Sequence, residues 1–201
     1  MDNGSTNVNA GDPALLARIA SGDENAFRQV YVFYYRRLYQ FAYALVKTRE
    51  PAEEIVEDVF VRVWQQRETI SSIQNLRVYL YTAIKNSALN YLSQKARQSI
   101  TEPFDHIHIS IGNAGDTPEQ ILITAEIQQK IQAAVDALPP RCKMIFKLVR
   151  EDGLKYKEIA GILNISVNTI DAQMAIAIKR ITAAIGAEFD FPIKKTGRQI
   201  N

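Results

Sequence analysis

From Phe27 to Val46 the run FRQVYVFYYRRLYQFAYALV places apolar residues at 27, 30, 34, 38, 41 and 45. Steps of three and four predict a long amphipathic helix with this stripe and its aromatics in the core. PAEEIVEDVFVRVWQQ predicts a second helix opening at Pro51, with acids in its first turn where they suit the helix dipole. Ile55, Val56, Val59, Phe60 and Val63 form its inner face. Glu54, Glu57, Asp58, Val61, Arg62 and Gln65 are left facing outward. RETISSIQN reads as a loop, and LRVYLYTAIKNSALNYLSQKAR as a long helix with Leu76, Leu80, Ile84, Ala88 and Leu92 inward. The opposite side of that helix carries Arg77, Tyr81, Lys85, Asn86, Asn90, Lys95 and Arg97.

Periodicity then lapses between Gln98 and Asp116, a polar stretch with Gly and Pro in which IHISI reads as extended coil. It resumes at Thr117-Pro118-Glu119-Gln120, a capping box with proline inside it. Pro139-Pro140 and Asp152-Gly153 punctuate the helical pattern of the C-terminal half. At the start of the chain, Asp12-Pro13 offers an N-cap followed by proline at the first helical position. The pattern therefore predicts an all-α protein of two small helical domains, 12–97 and 117–188, joined by a flexible linker over 98–116. Residues 1–11 read as a disordered tail and 189–201 as a basic one.

The stretch LKYKEIAGILNISVNTIDAQMAIAIKRI, residues 154–181, predicts two helices with a tight turn at Asn164-Ile165. In the first, Ile159, Ala160 and Leu163 point inward; Ser166 caps the second, and Ile170, Met174, Ala177 and Ile181 seat it. Asn168, Thr169, Asp171, Ala172, Gln173, Ile176, Lys179 and Arg180 then face out. A helix–turn–helix presents such residues to the major groove. Gln173 suits an adenine edge, Ala172 or Ile176 a thymine methyl, and Lys179 and Arg180 phosphates. The bland alternative is a helical hairpin with a mixed exposed face. Few phosphate contacts make the helix a weak binder by itself, so dimerisation or delivery by a larger machine is needed.

Composition narrows the classes. At 201 residues, 47% hydrophobic and 23% charged, the chain is ordinary for a soluble protein, and its apolar runs are too short to insert in a membrane. The N-terminus has neither the basic start nor the apolar stretch of a secretory signal. A single cysteine, Cys142, excludes an internal disulfide and fits the cytoplasm. His106 and His108 have no carboxylate cluster near them in sequence, so neither a metal nor another cofactor is expected. The net charge of +2 says little, but its distribution is uneven. Acids crowd Glu50 to Asp58, while Thr69 to Thr101 holds no acid, which suggests one surface for a basic partner and another for a polyanion. Against an enzyme, the chain lacks S-x-x-K, a G-x-x-x-x-G-K loop and H-E-x-x-H, although KTG occurs at 195–197. No small-molecule substrate is expected.

LPPRCKMIFKLVREDGLKYKEIAGILNISVNTIDAQMAIAIKRI resembles region 4 of the extracytoplasmic-function (ECF) sigma factors of the sigma-70 family, closest to the FecI-like type of Bacteroidetes. EEIVEDVFVRVW resembles their region 2.2, and VYLYTAIKNSALNYL their regions 2.3 and 2.4. The resemblance implies an alternative sigma factor that binds core RNA polymerase and directs it to promoter DNA. It implies polymerase docking through Glu54, Glu57, Asp58, Val61, Arg62 and Gln65, with Trp64 at the edge. It implies −10 melting and base capture through Arg67, Ser71, Ser72, Asn75, Tyr79, Tyr81, Lys85, Asn86, Asn90, Lys95 and Arg97. It implies −35 reading through Asn168, Thr169, Ala172, Gln173, Ile176, Lys179 and Arg180. A FecR-like anti-sigma factor is the further partner implied. Tethering to polymerase would supply the affinity that the weakly basic reading helix lacks. The alternative is a stand-alone regulator with a LuxR-like helix–turn–helix, which leaves the acidic helix and the acid-free helix unexplained.

Overall fold

A computed structural model describes residues 12–98 and 122–185 of the chain. Among them there is no strand, and helices carry nearly everything. The IHISI segment and the Thr117–Gln120 box lie outside the described residues.

Helix α1 (Pro13–Ala20) starts as its sequence predicts: the Asp12 carboxylate accepts from the Ala14 amide at 3.0 Å, and Pro13 takes the position where no amide donor is needed. Gly22, at φ 90°, reverses the chain in a left-handed conformation that side chains resist. Asp23 then caps α2 (Glu24–Val46) by accepting from Ala26 N at 3.0 Å, and pairs with Arg18 at 2.7 Å. Helix α3 spans Arg49–Gln65, two residues ahead of its expected start. The segment read as a loop is instead a 3₁₀ helix, Arg67–Ser72. Its Ile70 is buried, while Thr69 and Ser72 hydroxyls donate to backbone carbonyls three residues back. These bonds hold the tight turns that polar residues otherwise leave open. Helix α4 (Leu76–Gln98) begins where the Asn75 side-chain oxygen accepts from Val78 N at 3.1 Å.

The second group comprises α5 (Leu122–Asp136), α6 (Pro140–Arg150), α7 (Tyr156–Leu163) and α8 (Val167–Ile185). Pro139 and Pro140 end one helix and open the next. Gly153, at φ 63°, turns the chain from α6 to α7. Val135, Leu138, Cys142 and Ala177 form a small core where α5, α6 and α8 meet, and the Cys142 thiol donates to the Gln173 carbonyl at 3.2 Å. Lys143, almost fully buried, is neutralised by Asp136 at 2.6 Å.

Helix α2 packs against α3 and α4, burying Val30, Tyr34, Leu38 and Phe41 as expected. That core does not stop at the first group of helices. It runs on through Ile145, Leu148, Leu154, Ile159 and Ile170, because α7 lies against α4. The two groups thus form one body.

Candidate nucleic-acid interface

The pair α7–α8 is bent by 112°, within the range of a helix–turn–helix. Asn164 makes the turn possible by taking a left-handed conformation, φ 54°, which asparagine tolerates. Ser166 caps α8 as expected, its hydroxyl accepting from Thr169 N at 3.0 Å. Ile170, Met174 and Ala177 are buried, with Ile181 half-buried beneath them. In α7 the expected inward set changes: Ile159 and Ile162 are buried, whereas Ala160 and Leu163 are only half-buried. Asn168, Ala172, Ile176, Lys179 and Arg180 are exposed together on α8; Thr169 and Gln173 are half-buried beside them. Ile176 leaves 40% of its surface open, an apolar spot fit for a thymine methyl.

On α4 the expected reading residues divide. Asn86, Asn90, Lys95 and Arg97 are exposed, and Tyr79 and Lys85 half-buried. Tyr81 is a correction: it is fully buried, its ring 5.1 Å from that of Phe41, and is no surface group. The stripe from Leu76 to Ala88 predicts one inward face, but α4 is covered by α2, α3 and α7 together, so a wider arc is buried. Burial pushes the Tyr81 phenol far up; its hydroxyl faces Asp152 but meets no partner at hydrogen-bond geometry. Asn75 is engaged at both ends of its amide, capping α4 and donating to Glu158 Oε1 at 2.8 Å. Arg67 lies over the Trp64 ring, 5.0 Å from its centroid, and donates to the Trp64 carbonyl. Ser71 and Ser72 are exposed.

On α3, Glu54, Glu57, Asp58, Val61, Arg62 and Gln65 are all exposed, as expected, with Val61 52% open. Arg62 reaches Ser87 of α4 at 2.8 Å, linking this face to the acid-free helix. Trp64 is half-buried against Phe27.

Beside that face lies a feature read from the sequence as core. Tyr31, Tyr35, Tyr39 and Tyr43 are half-buried and succeed one another along α2, with Tyr35–Tyr39 and Tyr39–Tyr43 stacked at 6.5 and 6.2 Å. Burial first, then the Glu57 charge, raises the pKa of Tyr31. The four-residue repeat of tyrosine was the signal for this ladder, since side chains four apart adjoin on a helix.

No group of residues suited to hold a metal ion occurs among the described residues, and no single helix there is long and apolar enough to cross a membrane.

Residues 30–98 match the family model of Sigma-70 region 2, and residues 128–181 that of Sigma-70, region 4, together more than half of the chain. The chain is 24% identical over 169 residues to the ECF RNA polymerase sigma-E factor of Escherichia coli (strain K12), spanning 81% of this chain and 88% of that one. It is 25% identical over 169 residues to the ECF RNA polymerase sigma-E factor of Haemophilus influenzae, covering 81% and 89% respectively. Among solved structures, the sigma factor RpoE from Bartonella quintana, crystallised with the anti-sigma factor NepR, shares the fold. The TM-score is 0.52 at 19% identity, over 81% of this chain and 98% of that one.

Proposed function

The chain belongs to the sigma-70 family, in its ECF branch, and from that premise we infer how its surfaces divide the work of an alternative sigma factor. Such a factor binds core RNA polymerase and directs it to promoters. The observation that carries this function is the presence of both sigma regions in order on one chain. The region 2 match accounts for the N-terminal helices that a stand-alone regulator leaves unexplained, so that alternative has nothing in its favour.

The assignment of residues is our reading. Glu54, Glu57, Asp58, Val61, Arg62 and Gln65 dock on polymerase; their joint exposure and the acidic start of α3 support it. A charged rim of this kind steers encounter with a basic partner more than it adds affinity. Asn86, Asn90, Lys85, Lys95 and Arg97, with Tyr79, take the separated non-template strand of the −10 element. Amides hydrogen-bond unstacked base edges and cations track the backbone. Arg67 and Asn75 border that surface, and Tyr81 supports it from the core. The outer face of α8 reads the −35 element. Boundaries at 12–97 and 117–188 rest on the hydrophobic pattern, and a FecI-like subtype and a FecR-like anti-sigma partner on the sequence resemblance. Action in the cytoplasm, where the polymerase works, rests on the single cysteine, Cys142.

The test is titration with sigma-free core RNA polymerase, then run-off transcription on genomic fragments. Tight association with new, salt-sensitive start sites is the expected result. Failure to associate, with specific duplex binding by the free chain, would overturn it.

A further inference from the structure

Helix α4 closes its inner stripe with Leu80, Ile84 and Ala88, each fully buried. Leu89, the next residue, points away from that stripe and leaves 50% of its surface open. It is the only large apolar side chain of α4 so exposed among the described residues. One exposed leucine is ordinary on a protein surface; the company of this one is not. Asn86 and Lys85 stand three and four residues back along the helix and Ser93 four ahead, positions that adjoin Leu89 on one face. Asn86, Asn90 and Ser93 are exposed, and Lys85 is half-buried. Ser87, on the opposite flank, is tied to Arg62 of α3 at 2.8 Å, so α3 covers that flank and the Leu89 side stays open. Thr69 to Thr101 holds no acid, so no carboxylate of this helix repels a polyanion brought against it.

We propose that Leu89 is a specificity-determining residue for the −10 element, contacting the methyl group of an unstacked thymine in the non-template strand. This rests on the assignment of −10 reading to α4. The chemistry of the side chain selects the base. Asn86 and Asn90 carry amides that both donate and accept, so each finds a partner on the edge of any base. Lys85 offers charge to the backbone, which carries no sequence. Leucine has neither donor nor acceptor and contributes only where the strand itself is apolar. Thymine alone of the four bases carries a methyl group. Set against Leu89, that methyl and the leucine both leave water. A cytosine in its place would turn its amino group toward the leucine and leave it without a partner. The polar neighbours therefore hold a base at this face, and Leu89 discriminates which base it is.

The experiment is fluorescence anisotropy of holoenzyme, assembled from sigma-free core RNA polymerase and the full chain, with the single-stranded non-template −10 segment of a mapped start site. Each thymine of that segment is replaced in turn by deoxyuridine, which removes the methyl group and nothing else. The parent is compared with Leu89→Ala, Leu89→Met and Asn86→Ala, with helicity and melting checked for each. At one position the parent should bind the thymine strand about fourfold more tightly than the uracil strand, the worth of one methyl group taken out of water. Leu89→Ala should lose that preference, and Leu89→Met, still apolar, should keep it. A parent indifferent to every methyl, or a folded Leu89→Ala that retains the preference, overturns the contact. So does a Leu89→Ala that weakens thymine and uracil strands alike, since the residue would then support the helix rather than read a base. Those results, with Asn86→Ala still weakening every strand, leave the −10 assignment of α4 standing. If neither Asn86→Ala nor Leu89→Ala changes binding to any strand, that assignment falls and the inference with it.

Discussion

At the scale of single residues, Tyr81 separates what holds the molecule together from what touches DNA. It fills the space between α4 and Phe41 with no exposure at all, so Tyr81→Ala should cost about 3–5 kcal/mol of stability, as cavity-forming aromatic truncations do. Asn86, two residues beyond Ile84 on the same helix, is exposed. Asn86→Ala should leave the urea midpoint within the range of ordinary surface changes and weaken binding of the −10 single strand. If Asn86→Ala unfolds the chain early, or Tyr81→Ala weakens DNA binding without loss of stability, the division of α4 into core and reading faces is wrong. Periodicity places the stripe from Leu76 to Ala88 correctly, and it could not place Tyr81. A stripe assumes one partner surface; burial over a wider arc depends on how many neighbours the helix has, which no local spacing encodes. The same limit explains the tyrosine ladder, whose members are half-buried rather than enclosed.

At the scale of elements, capping chemistry was the most legible part of the chain. Asp12 and Ser166 act as their positions predict, because a short polar side chain before an apolar run has few other uses. Ser166→Ala should cost about 1 kcal/mol, loosening the start of α8 where Asn168 and Thr169 sit. Hydrogen exchange should show faster amide exchange confined to the first turn of α8, together with weaker −35 duplex binding by the holoenzyme. Unchanged exchange there would mean that the turn at Asn164 holds the helix unaided. Less legible were elements whose bonds are internal. The 3₁₀ helix at Arg67–Ser72 has the polar composition of a loop, and only the buried Ile70 and the hydroxyl bonds of Thr69 and Ser72 make it ordered. The break at Gly22-Asp23, which starts α2 with an aspartate cap, carries a clear turn signature that the long apolar stripe beginning at Phe27 overshadows.

At the scale of the whole molecule, the sequence offers two helical units but not their contact, since Asn75 and Glu158 are far apart along the chain and polar pairs leave no periodic trace. The contact has a pH dependence whose sign is set by Asp152. Burial first, with the Glu151 charge adding to it, raises this carboxyl to about 6 from an ordinary value near 3.8, against the opposing Tyr81 hydroxyl and the Arg37 and Lys147 charges. Arg77 approaches through its bond to the Asp152 carbonyl, and Tyr34 of α2 feels the Asp152 charge. A carboxyl whose pKa is raised by folding binds a proton more readily in the folded chain than in the unfolded one. Acidification from pH 7 through 6 toward 4 therefore favours the packed state at this site; above about 6 the charged form bears the full cost of burial. The contribution of this group to the folding constant should rise as pH falls, by up to about fiftyfold across the interval. Between pH 7.5 and 5, the urea midpoint of the parent should rise relative to that of Asp152→Asn, which keeps the shape without the charge. A parent midpoint that falls relative to Asp152→Asn on acidification would show that the Arg37–Asp152 attraction outweighs desolvation.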